Sequence, residues 1–97
     1  MCKNTKAILG LDRFNNVKSI IGERDMSSHP AVALNKIQNH LDHIKTVNLN
    51  AFSTEGLEFL ESRIIVLLDA KNCLKEYLDQ CDPRRTATIL RIKDLLK

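Results

Sequence analysis

Tryptophan is absent from this 97-residue chain, and only Phe14, Phe52, Phe59 and Tyr77 are aromatic. A core built under that shortage must be aliphatic, which suits helices packed on helices better than a β-sandwich. Glycine is scarce as well. Gly10, Gly22 and Gly56 stand alone, so no glycine-rich loop can cradle a phosphate. The longest apolar run, Ile64 to Leu68, is five residues, far short of the roughly 18 that a bilayer span requires. The first twenty residues mix Lys3, Lys6, Asp12 and Arg13 among apolar side chains, which is unlike a secretory signal. The three cysteines, Cys2, Cys73 and Cys81, are odd in number and form no C-x-x-C pair. On one helix Cys73 and Cys81 would lie about 12 Å apart, too far to bridge. The expectation is three reduced thiols, with Cys73 and Cys81 in the core of a cytoplasmic protein.

What is present points to one folded unit. Charged residues make up 28% and hydrophobic residues 43%, ordinary values for a globular chain, and the length suits a single helical domain over 1–97. Taking Leu57 as heptad position a, the a positions are Leu57, Ile64, Lys71 and Leu78, and the d positions are Leu60, Leu67, Leu74 and Cys81. Seven of these eight are apolar, the pattern of a helix that lies against other helices. Ser53 stands as N-cap, with Phe52 before it and Leu57 at N4 as a hydrophobic staple, and Glu55 falls in the first turn. The helix spans 54–81.

Three further helices flank it. Ala7, Ile8, Leu11, Phe14, Val17, Ile20 and Ile21 recur at helical spacing over 5–21, where Gly22 ends the pattern and Gly10 weakens it by about 1 kcal/mol relative to Ala. A hairpin turning at Asn15-Asn16 is the rival reading. Pro30 opens a helix over 30–46 with Leu34, Ile37, Leu41 and Ile44 as its stripe, followed by an extended link over 46–52. Asp82 as N-cap and Pro83 at N1 begin a last helix over 83–96, whose face is Ile89, Ile92, Leu95 and Leu96. The fold class is therefore all-α, a small bundle of about four helices around a long central third helix.

Charge is segregated along the chain. Residues 1–52 carry a net +3, residues 53–82 a net −4 and residues 83–97 a net +4. Arg84, Arg85, Arg91 and Lys93 make the last helix the candidate electrostatic surface. They could face Glu58, Glu61, Asp69 or Asp79 of the helix before it, or meet an acidic protein or nucleic-acid phosphates. Two cations in the first turn oppose the helix dipole, which favours a role beyond solubility. Lys71 interrupts the apolar seam. It either snorkels its charge outward or fixes register and oligomer state as a polar a residue.

No other pattern amounts to a site. His40-x-x-His43 has a metal-like spacing but no third ligand near it in sequence. Neither a serine nor a cysteine stands with a base as a nucleophile would need, and Cys81 falls at a helix end, where the dipole disfavours a thiolate. The sequence thus leads to a non-enzymatic regulatory or adaptor protein that needs no cofactor, metal or small-molecule substrate and acts through protein–protein contacts. The partner-binding candidates are Arg84, Arg85, Arg91, Lys93 and Lys71, and the packing seam is Leu57, Leu60, Ile64, Leu67, Leu74 and Leu78. The partner expected is a protein, with an acidic one among the candidates, or a second copy in a homodimer. Size and Lys/Asn richness suit an accessory or inhibitor protein of a phage, plasmid or small bacterial operon. The alternative is a nucleic-acid-binding regulator using the basic last helix.

Overall fold

The computed structural model describes residues 3–97, and among them the chain forms five α-helices and no strand. These are α1 (Thr5–Leu9), α2 (Leu11–Ile21), α3 (Pro30–Ile44), α4 (Thr54–Cys81) and α5 (Pro83–Leu95). The all-α expectation holds, and the fifth helix arises at Gly10. That residue has φ 84° and ψ 163°, a region open in practice to glycine alone, so the helix expected over 5–21 breaks into α1 and α2. Asn15 and Asn16 lie inside α2, and no hairpin forms there.

Side chains set most of the helix starts. Asn4 Oδ1 accepts from the Ala7 amide at 2.8 Å, Ser53 Oγ from Gly56 at 3.1 Å and Asp82 Oδ1 from Arg85 at 3.2 Å, each satisfying a donor that the first turn leaves over. At α3 the cap is His29 Nδ1, which accepts from Ala31 at 3.3 Å ahead of Pro30. α3 stops at Ile44 rather than 46. The expected extended link instead holds a 3-10 turn, Leu49–Ala51, because Asn48 Oδ1 takes the Asn50 amide at 3.1 Å and folds the backbone locally.

α4 touches every other helix. At 28 residues it is about 42 Å long, which nearly accounts for the 44 Å longest dimension. Only part of it is covered. Leu67, Ala70 and Leu74 join Leu9 of α1, Val17 and Ile21 of α2 and Ala33, Ile37 and Leu41 of α3 in one aliphatic core. Arg13 Nε reaches Asp69 Oδ2 at 2.7 Å and ties α2 to α4, and Arg63 donates to the Ile20 carbonyl at 3.3 Å. The seam is therefore buried at Leu67, Leu74 and Leu78, half-buried at Leu60, Ile64 and Lys71, and exposed at Leu57 and Cys81.

α5 does not complete the bundle. It packs mainly on α4 and contains no buried residue, so the face expected to be Ile89, Ile92, Leu95 and Leu96 is half-buried only at Ile89. The radius of gyration, 15.0 Å, exceeds the roughly 12.5 Å of a compact domain of this length, as a 28-residue α4 and an outlying α5 require.

The cysteines correct the sequence reading. Cys81 is bonded in a disulfide, Cys73 is a half-buried free thiol beside the core, and Cys2 lies outside the described residues. Reduced cysteines thus give no argument for a reducing compartment. Among the described residues no helix is long and apolar enough to cross a membrane.

Candidate protein-binding groove

Two clefts run along one side of α4. The first, of about 350 Å³, lies between α4 and the end of α3 and is floored by Leu41, Ile44, Val47, Leu49, Ile64 and Leu68. The second, of about 620 Å³, is the space that α5 leaves open by standing off from α3 and α4. Leu34, Ile89 and Leu90 form its apolar part. Gln38 and Lys71 line both clefts, so the two make one elongated groove with Lys71 at its waist.

The groove is basic. Lys71, Lys75, Arg85 and Lys93 line the second cleft, and among the described residues no ion pair joins any of them to a carboxylate. The one acid in that lining, Asp79, accepts the Thr86 hydroxyl, which fastens α5 to α4 by a hydrogen bond rather than a salt bridge. At the first cleft Lys45 lies 3.5 Å from Asp42. The Asp42 carboxyl is held below the ordinary aspartate range chiefly by the Gln38 amide, with Lys45 and Lys71 adding to it. Four cations outside any ion pair, around an apolar floor, can hold a surface that offers both carboxylates and aliphatic side chains.

The structure divides the partner-binding residues expected from sequence. Lys71, Arg85 and Lys93 come together around the groove, although they stand far apart in the chain. Arg84 and Arg91 do not join them. Arg84 lines a shallow hollow with Asp82 and Thr88 that borders the second cleft at Arg85 and Ile89 without entering it, and exposed Arg91 donates to the Thr88 hydroxyl at 3.0 Å. Pairing of α5 cations with Glu58, Glu61, Asp69 or Asp79, one of the readings the sequence left open, does not form among the described residues. Asp69 serves Arg13 and Asp79 serves Thr86. Lys75, Leu34 and Leu90 were missed by sequence reasoning. Lys75 carried a signal, since it lies one helical turn beyond Lys71 on the same side of α4.

Other candidates stay apart. His40 Nε2 sits 3.6 Å from Asp25 Oδ2, where it links α3 to the 22–29 connector, while His43 is exposed. No group of three or more ligating side chains gathers among the described residues. Comparison of the chain with protein-family models, with curated proteins and with solved structures gave no match.

Proposed function

We propose that the protein is a non-enzymatic regulatory or adaptor protein that holds an acidic, amphipathic segment of another protein in the groove between α3, α4 and α5. The observation that carries this reading is the set of four cations, Lys71, Lys75, Arg85 and Lys93, that form no ion pair among the described residues and stand around the apolar Leu34, Ile89 and Leu90. Burying apolar side chains in such a groove supplies affinity, and carboxylates facing the lysines and Arg85 set orientation and on-rate.

Paired capture from native lysate tests this, with the wild-type chain beside Arg85→Glu/Lys93→Glu. Both side chains belong to a helix with no buried residue, so the fold should tolerate the change. The expected result is a protein retained by the wild type, released by salt and lost with the variant. Identical retention by the two chains would count against the groove.

A second reading, nucleic-acid binding, is favoured by the lack of α5–α4 ion pairs, which leaves Arg84, Arg85, Arg91 and Lys93 available to phosphates. Anisotropy titration against duplex DNA at two salt concentrations checks it. Phosphate contacts require affinity to fall steeply with salt, and no binding at low salt removes this reading.

A further inference from the structure

Along the edge of α4 that borders the groove, Leu57, Glu61, Ile64, Leu68, Lys71 and Lys75 follow one another at intervals of four, three, four, three and four residues. That is heptad spacing for a second seam, which shares Leu57, Ile64 and Lys71 with the first and turns outward at Glu61, Leu68 and Lys75. The seam is only partly covered. Leu57 is 38% exposed and Leu68 42%, Glu61 and Lys75 are exposed, and Ile64 and Lys71 are only half-buried. Its polar members are ordered by sign, with the acid toward the start of α4 and the bases toward its end.

This order is self-complementary in one direction only. Two copies of α4 laid parallel along the seam would set Glu61 against Glu61 and Lys71 against Lys71. Laid antiparallel about a twofold axis, Ile64 meets Leu68 of the second copy, Glu61 meets its Lys71, and Leu57 covers the stem of its Lys75. Each contact then occurs twice, as an isologous interface requires. The same arrangement carries the first turns of the second α4, with Glu58 at the margin of the seam, toward the end of the groove that Arg85 lines.

We infer that the chain pairs with a second copy through an antiparallel α4–α4 contact, with Glu61 of each copy on Lys71 of the other. This rests on reading the groove as a protein-binding surface and adds a regulatory consequence. The acidic first half of the second α4 fills the place that an acidic partner would take, so self-association and partner binding compete. Lys71, the polar break in the inner seam, becomes the residue that fixes direction and register of the outer one.

Sedimentation equilibrium over a concentration series tests the pairing on the full chain, with circular dichroism to confirm that every variant keeps its helices. The wild type is expected to dimerise. Glu61→Lys and Lys71→Glu should each weaken the dimer by roughly tenfold or more, since each puts like charges together at both symmetric positions. A mixture of the two variants should recover the dimer, because each then supplies the charge that the other lacks. A merely structural fault in either variant would not be cured by mixing. A monomeric wild type, or a dimer indifferent to both charge reversals, overturns the inference. In either case the capture comparison with Arg85→Glu/Lys93→Glu still decides the broader reading on its own.

Discussion

The hydroxyl of Thr86 donates to Asp79 across the bend where α4 becomes α5, and this bond is the side-chain tie between the two helices. The bend itself is fixed by Asp82-Pro83. Proline lacks the amide that would continue α4, and Asp82 before it leaves the helical region at φ −144° and ψ 82°. Backbone geometry thus turns the chain, while Thr86 and Asp79 hold α5 at a distance that keeps the groove open.

Thr86→Val keeps the branched shape and removes the donor. A hydrogen bond to a carboxylate in this half-buried setting contributes on the order of 1–2 kcal/mol. Because α5 buries no residue, that loss should fall on α5 alone. Amide hydrogen exchange is expected to quicken across 84–95 in the variant while protection at Leu67 and Leu74 stays as it was. Unchanged exchange in α5 would show that Asp82 and Ile89 hold the helix without this bond.

Gly10 offers a prediction on which two physical arguments disagree in sign. As a residue within one helix, its replacement by alanine should stabilise by about 1 kcal/mol. Its actual conformation, φ 84° and ψ 163°, gives the opposite answer. A Cβ there would meet nothing within 4 Å, so no clash contributes, yet the backbone itself is strained for any L side chain. Gly10→Ala is therefore expected to destabilise by about 1–3 kcal/mol. Chemical denaturation should show a lower midpoint with an unchanged slope. A higher midpoint would mean that α1 and α2 join into one helix at little cost.

Most of the fold was legible because its signals are local. Ser53 and Asp82 cap the helices expected of them, and Pro30 and Pro83 sit at N1, since each acts within one turn of its own position. The helix over 54–81 appears with both bounds as expected. Gly10 was visible as a weakness but not as a corner, because glycine's cost in a helix and its use in a left-handed break look alike in sequence. The groove was half legible. Lys71, Arg85 and Lys93 could be named as cations, but their meeting depends on how far α5 stands from α3, which no local pattern encodes. Charge segregation suggested ion pairs between α5 and α4. Among the open readings of the basic helix, that one does not appear among the described residues: Asp69 serves Arg13 and Asp79 serves Thr86, and no ion pair joins Glu58 or Glu61 to α5.

Among the described residues Thr5 is the one buried polar residue, and its hydroxyl meets no hydrogen-bond partner there. Its amide is satisfied by the Ser28 carbonyl at 2.9 Å, so the backbone of α1 does not depend on the side chain. A buried hydroxyl without a partner bears its desolvation cost uncompensated, whereas a methyl of the same shape does not. Thr5→Val should then stabilise the chain by about 1 kcal/mol, which for a domain of this size raises Tm by roughly 4–8 °C. Thr5→Ser is the informative control. It keeps the hydroxyl and deletes the methyl, so it should lower Tm by leaving a small void against the core. If Val lowered Tm and Ser did not, the hydroxyl would be shown to hold a bond that matters, and its place under α1 would need to be read as a polar anchor instead of a packing compromise.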